Sequence, residues 1–118
     1  MEVSAHENQF AALQKQGLTL LRAYIKQITK PGFRENAKQD DRLFAMFIDL
    51  TTSDYGISQA ALARKIEMSP ATVARWARGQ SLPSAITRGA VVDSVIELLT
   101  KHLSIQEQAT IPRRVFAN

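Results

Sequence analysis

The segment from Ser58 to Pro83 constrains the fold more than any other part of this 118-residue chain. Ser58 is a good N-cap, because its hydroxyl can accept a hydrogen bond from a free backbone N–H in the first turn of a helix. Leu62 and Ile66 follow at helical spacing and predict a short helix with one apolar face. Ala63 lies on the same side, and its small side chain suits a point where two helices cross closely.

A second short helix is predicted to begin at Ser69-Pro70, after a three-residue turn. Serine caps such a helix, and proline at its first position gives up only an N–H that has no partner there. The spacing of Val73 and Trp76 assigns the indole to the core rather than to a surface that stacks on bases. Gly79 ends the helix. So short a turn makes the two helices cross steeply, as in a helix-turn-helix that docks on DNA.

The positive charge of the chain is concentrated on this segment and its immediate flank. The whole chain has a net charge of +4, yet residues 1–57 hold seven basic and seven acidic residues, and residues 90–118 hold three of each. Residues 58–89 hold one acid, Glu67, and five basic residues, Arg64, Lys65, Arg75, Arg78 and Arg88. A solvated helical face usually mixes signs, so this distribution favours a polyanionic partner.

The segment resembles the phage-repressor-type (Xre/Cro-like) helix-turn-helix family. The residues in register with the family pattern are Gln59, Ala63, Ser69-Pro70-Ala71-Thr72-Val73, Arg75-Trp76, Arg78-Gly79 and Pro83. The resemblance covers residues 41–103 and is most specific over residues 58–83. It implies an all-α fold, a compact five-helix bundle of the lambda-repressor-like DNA-binding type, here with an additional N-terminal helix. Family members bind operator DNA, usually as dimers.

One residue of the turn departs from the family pattern. Glu67 stands where many family members have glycine. A residue at this position commonly has a positive φ, which costs a non-glycine residue about 1 kcal/mol. We therefore expect a turn that is either slightly strained or differently shaped.

The resemblance and the helical spacing together predict a recognition helix over residues 70–78 that enters the major groove. Arg75 is the strongest candidate for base readout, since arginine pairs bidentately with O6 and N7 of guanine. Gln59 resembles the family's phosphate-contacting position at the start of the preceding helix. The predicted DNA-binding set is Gln59, Arg64, Lys65, Ser69, Ala71, Thr72, Ala74, Arg75, Arg78, Gln80 and Ser81.

Apolar spacing also predicts helices on both sides of the motif. Residues 41–52 form a helix capped by Asp40 or Asp41, and residues 84–103 form one that closes the core over the indole. Gly89 weakens the first turns of the latter by about 1 kcal/mol relative to alanine. These helices complete a DNA-binding domain over residues 41–103.

The regions outside this domain are a helix, a linker and a tail. Residues 8–29 carry apolar residues three and four apart and predict a helix, interrupted by Gly17, that either packs on its own bundle or pairs with its twin in a dimer. The family's dimeric habit favours the dimer. Pro31-Gly32 and alternating charges mark residues 30–39 as a linker anchored by Phe33, so that residues 1–40 form an N-terminal unit. Residues 104–118 lack periodicity and are predicted to be a flexible tail.

Composition and motif content argue against other classes of protein. The chain has no cysteine and no apolar run near 20 residues, which predicts a cytoplasmic protein without a membrane partner. His6 and His102 lie at opposite ends of the chain, and His102 is expected to interact with a helix C-terminal dipole rather than to act as a base. Phosphate-binding loops and catalytic or metal-binding motifs are absent, so no enzyme activity, cofactor or metal is expected.

These observations predict a sequence-specific regulator of transcription, a repressor that binds double-stranded operator DNA as a homodimer. Two alternatives use the same residues. One is the antitoxin of a toxin–antitoxin pair, whose protein partner, a toxin or a co-regulator, binds the N-terminal helix or the tail. The other is a helical interaction module that does not bind DNA.

Overall fold

The computed structural model describes residues 5–109, with side chains described from residue 8 onward. These residues form six helices and no strand: α1 (Ala5–Ile28), α2 (Phe33–Gln39), α3 (Asp41–Ser53), α4 (Gln59–Ile66), α5 (Pro70–Ala77) and α6 (Ala85–Ala109). Helix α5 packs against α3 and α4, while α6 contacts α1, α2 and α4. The predicted all-α bundle with an additional N-terminal helix is confirmed.

The core forms around an aromatic contact between α3 and α5. The rings of Phe44 and Trp76 meet edge to face with centroids 5.9 Å apart, and the indole is 3% exposed. Val73, Val92 and Val95 are completely buried. Trp76 is therefore a core residue, as its spacing predicted, and it holds α5 against the bundle.

Arg88 is a structural residue at the edge of this core. Its guanidinium lies 2.7 Å from the Asp41 carboxylate, donates to the backbone oxygen of Pro83 at 2.9 Å and covers the Phe44 ring. Only 8% of the residue is exposed. Arg88 thus ties the start of α6 to the start of α3, and it does not belong to the exposed basic surface that the charge count indicated.

The prediction of a linker over residues 30–39 is wrong, because residues 33–39 form helix α2. Ala37 is completely buried, and the ring of Phe33 meets Phe47 edge to face at 5.3 Å. Seven residues with two apolar side chains are too few to show a helical period. Helix α2 is stabilised instead by its packing against α3 and α6, which is how most short helices persist in proteins.

The predicted boundary between the last helix and the tail is also wrong. Helix α6 continues past Leu103 to Ala109, so residues 104–109 are helical and only residues 110–118 lie outside the described residues. Residues 104–109 contain neither glycine nor proline, and the first helix breaker is Pro112. His102 therefore lies inside the helix rather than in its last turn, close to Gly56.

Helix α1 packs on its own bundle through its C-terminal half. Leu21, Tyr24 and Ile28 are buried. The Tyr24 hydroxyl lies 3.1 Å from the backbone oxygen of Phe47 and 2.9 Å from the hydroxyl of Thr51. Burial raises the pKa of Tyr24 to about 12. The bundle thus covers this half of α1, whereas the half that precedes it is exposed.

Candidate nucleic-acid interface

Both helices of the motif begin with the serine caps that the sequence predicts. The Ser58 hydroxyl accepts from the backbone N–H of Ala61 at 3.0 Å, and the Ser69 hydroxyl accepts from that of Thr72 at 3.1 Å. Pro70 occupies the first turn of α5. The caps define where α4 and α5 start, and hence which side chains stand at the front of each helix.

The turn between α4 and α5 places Glu67 in the left-handed region, with φ 58° and ψ 43°. It is the only non-glycine residue with a positive φ between residues 5 and 109. The N–H of Glu67 donates to the Arg64 carbonyl at 3.3 Å, and that of Met68 donates to the Ala63 carbonyl at 2.9 Å. The positive φ expected at this position is confirmed, and these hydrogen bonds end α4.

Helix α5 presents one exposed and one buried face. Val73 and Trp76 point into the core, whereas Ala71, Arg75 and Arg78, spaced four and three residues apart, are exposed. We call these three residues the recognition face. Its width and its two arginines suit a helix that lies in a major groove.

A chain of hydrogen bonds runs along the exposed side of α5. The hydroxyls of Ser69 and Thr72 lie 2.9 Å apart, and Nη2 of Arg75 donates to the Thr72 hydroxyl at 3.2 Å. All three were predicted as DNA-binding residues, and the structure brings them together. Because a held guanidinium has less rotamer freedom to lose on binding, this chain organises Arg75 in advance.

The unpaired basic surface is smaller than the sequence indicated. Lys65 is turned toward α6, where its Nζ lies 2.7 Å from the Glu97 carboxylate, and Arg88 is buried. Arg64, Arg75 and Arg78 are exposed and make no ion pair with any residue between 8 and 109. These three arginines carry the unpaired positive charge of the motif.

The remaining predicted residues lie around the two helices. Gln59 is half-buried at the first position of α4, and Gln80 and Ser81 are exposed in the loop after α5. Thr72 and Ala74 are half-buried in α5. The loop after α5 begins with a hydrogen bond of 2.9 Å from the Gln80 N–H to the Arg75 carbonyl.

Arg42 joins the candidate set on structural grounds. It is exposed in the first turn of α3, one helical turn before Ala45. A Cβ built on Gly79 would lie 3.9 Å from that of Ala45, so this side of α3 borders the loop after α5. The sequence placed Arg42 in a helix but contained no signal that Ala45, one turn further on, would face the loop after α5.

The described part of the chain was also compared with the requirements of a ligand pocket, a metal site and a membrane span. A groove of about 430 Å³ between α1 and α6 is lined by Gly17, Leu20, His102 and Gln106, among others. Residues 8–109 contain no group of three or more histidine and acidic side chains able to hold a metal ion. None of the described helices is long and apolar enough to cross a membrane.

Comparison with known families identifies the motif. Residues 54–87 match the family described as helix-turn-helix, which is the Xre/Cro-like family. This match spans α4, the turn with Glu67, α5 and the start of α6. No curated protein and no solved structure matches the chain.

Proposed function

We propose that this chain, whose residues 54–87 form a helix-turn-helix of the Xre/Cro-like family, is a sequence-specific regulator of transcription that acts in the cytoplasm. Helix α5 enters the major groove of operator DNA, with its recognition face toward the base edges. A homodimer places two such helices on two half-sites. The bound protein represses transcription by occupying the DNA that polymerase needs.

The observation that carries this proposal is the hydrogen-bonded Arg75 on the recognition face. Its guanidinium is exposed and unpaired by any carboxylate of residues 8–109, and Thr72 holds it at 3.2 Å. Bidentate pairing of arginine with guanine contributes about 1–3 kcal/mol of discrimination against the wrong base. Arg75 is therefore proposed to read a guanine, and Ala71 to contact a neighbouring thymine methyl.

Phosphate contacts are proposed to surround this base-reading centre. Gln59 lies at the N-terminus of α4, where free N–H groups favour a phosphate. Arg64, Arg78 and the loop residues Gln80 and Ser81 contribute further contacts to the DNA backbone. These contacts set the register of α5 in the groove, and they supply affinity that falls with salt as counterions are released.

The test is a two-step binding experiment. A selection of bound sequences from random DNA gives the preferred site, and fluorescence anisotropy then compares wild type with Arg75→Ala on that site and on a scrambled duplex. Arg75→Ala should lose about tenfold or more in affinity on the preferred site, with little loss on the scrambled one. Lys26→Ala removes one exposed positive charge on α1 and serves as the matched control.

Two outcomes would contradict the proposal. Unchanged affinity and sequence preference in Arg75→Ala would show that α5 does not read bases. An absence of DNA binding by the wild-type chain even at low salt would favour the helical interaction module instead.

A further inference from the structure

The N-terminal half of α1 borders the groove toward α6, but no other described helix covers its side chains. Every side chain from residue 8 to residue 17 is exposed. The exposed fractions are 65% for Phe10, 64% for Leu13 and 51% for Leu20. A helix of about a dozen residues that stands free of tertiary packing is marginally stable in water. This half of α1 therefore gains stability from any surface that covers it.

The apolar positions of this half form a narrow seam. Phe10, Leu13, Gly17 and Leu20 follow one another at steps of three, four and three residues. This is the spacing of the two core positions in a heptad, which typifies a helix paired with another helix. We call these four residues the α1 seam.

Gly17 lines the groove between α1 and α6, yet no contact among the described residues requires a glycine there. It lies in the interior of a 24-residue helix, where glycine is less favourable than alanine. A Cβ built on it would meet nothing within 4 Å. A glycine on an apolar seam permits close approach of another backbone, and the described residues contain no such neighbour.

We propose that the α1 seam packs against α1 of a second copy of this chain, with the closest backbone approach at Gly17. This inference rests on the homodimer of the proposed function and gives that dimer an interface. Two-fold symmetric dimers are the commonest soluble oligomers, and their interface sets the same surface of each copy against the other. The interface lies on the additional helix, outside the helix-turn-helix, and so leaves the recognition face free for DNA.

Charge favours a second copy over the chain's own C-terminal residues as the occupant. Residues 8–20 contain one charged side chain, Lys15, which lies opposite the seam in the heptad. The positions that flank the seam are Gln9, Gln14 and Gln16, so two copies can meet without repulsion between like charges. Residues 110–118 instead carry two adjacent arginines, and residues 8–20 offer them no carboxylate.

Sedimentation equilibrium of the full chain without DNA tests the interface. The wild-type chain should show a concentration-dependent dimer, and Leu13→Gln should weaken it by about tenfold or more. Leu13 is exposed in the single copy, so this change should leave the unfolding of the monomer unaltered. Lys15→Gln alters the same helix opposite the seam and should dimerise as the wild type does. An unchanged dimer in Leu13→Gln would overturn the proposal.

Gly17→Ala distinguishes a glycine that permits close approach in a dimer from a glycine that the helix only tolerates. In a single copy the added methyl meets no atom, so the helix should become more stable to heat. In the dimer the same methyl should block the close approach and weaken association by about tenfold. Association equal to or stronger than that of the wild type would overturn the proposal.

A variant without residues 110–118 distinguishes the two occupants. It should dimerise like the full chain. A monomeric full chain that dimerises only after this deletion would show that the C-terminal residues cover the seam, which would overturn the proposal.

DNA binding tests the proposed function separately from the interface. If Leu13→Gln abolishes the dimer but no variant binds DNA, the proposed function fails and the interface stands. If DNA binds and Leu13→Gln still dimerises, only the interface fails.

Discussion

Gly89 of α6 makes room for Arg34 of α2, because a Cβ on the glycine would lie 2.8 Å from Nη2 of the arginine. The guanidinium reaches over this gap and donates to both carboxylate oxygens of Asp93, at 3.0 and 3.1 Å. The carboxylate raises the pKa of Arg34 above its ordinary value. A glycine that the sequence shows only as a weak point in a helix thus permits a link between two helices.

Gly89→Ala should change stability little, because two effects oppose each other. Alanine favours the helix by about 1 kcal/mol. The displaced guanidinium can swing into solvent, so the loss of an exposed ion pair costs about 0–1 kcal/mol. The measurement is urea unfolding of Gly89→Ala, alone and in an Arg34→Ala background. In that background Gly89→Ala should stabilise by about 1 kcal/mol. An equal effect in both backgrounds would contradict the coupling.

Glu67→Gly should stabilise the fold by up to about 1 kcal/mol. Glycine adopts the positive φ of this turn without the clash that a Cβ creates, although it adds entropy to the unfolded chain. Glu67→Ala is the matched control, since it removes the carboxylate but keeps the strain. Thermal unfolding should show a higher melting temperature for Glu67→Gly than for wild type, and no such increase for Glu67→Ala. A similar rise in Glu67→Ala would show that charge, and not backbone strain, limits stability at this turn.

The sequence predicts the motif well because its signals are local. Serine caps, Pro70 and the spacing of Val73 and Trp76 each act within one or two helical turns, and the helix bounds follow from them. The positive φ of Glu67 could be predicted because the family resemblance places this residue where many members have glycine.

The parts that sequence could not predict depend on contacts between distant residues. Helix α2 has too few apolar residues to show a helical period in the sequence, and it forms because it packs against α3 and α6. The sequence could not show that Lys65 pairs with Glu97 at the surface, or that Arg88 is buried beside Asp41. Net charge can thus be read from a sequence, whereas the share that stays available to a partner depends on the tertiary structure.

Tyr24→Phe should destabilise the docking of α1 by about 1–2 kcal/mol. The change leaves the completely buried Thr51 hydroxyl without the phenol that lies 2.9 Å from it. The phenyl ring keeps the stack on Tyr55, whose ring centroid lies 4.0 Å away. Urea unfolding at neutral pH measures the loss, and Thr29→Val, which removes an exposed hydroxyl near the end of α1, serves as a control.

Because of the same tyrosine, the free energy of unfolding should fall at alkaline pH. The pKa of Tyr24 is about 12 in the folded chain against 10.0 for an ordinary tyrosine, so the unfolded chain loses this proton first. The protonated Tyr24 contributes fully to the free energy of unfolding below pH 10. Between pH 10 and 12 this free energy falls by on the order of 1.4 kcal/mol per pH unit. Unfolding across this range should show a shallower decline for Tyr24→Phe than for wild type. Parallel curves would contradict the assignment.

Arg42→Ala should weaken DNA binding almost equally on every sequence. Arg42 is exposed on α3, one helical turn before Ala45, which faces the loop after α5, and a phosphate contact there would carry no sequence information. Removing one such contact should reduce the slope of log affinity against log salt by about 1. Anisotropy titrations at several salt concentrations, on the preferred and the scrambled duplex, measure both effects, and Lys26→Ala should leave the slope unchanged. A loss confined to the preferred duplex would place Arg42 on a base edge, and an unchanged slope would place it away from the DNA.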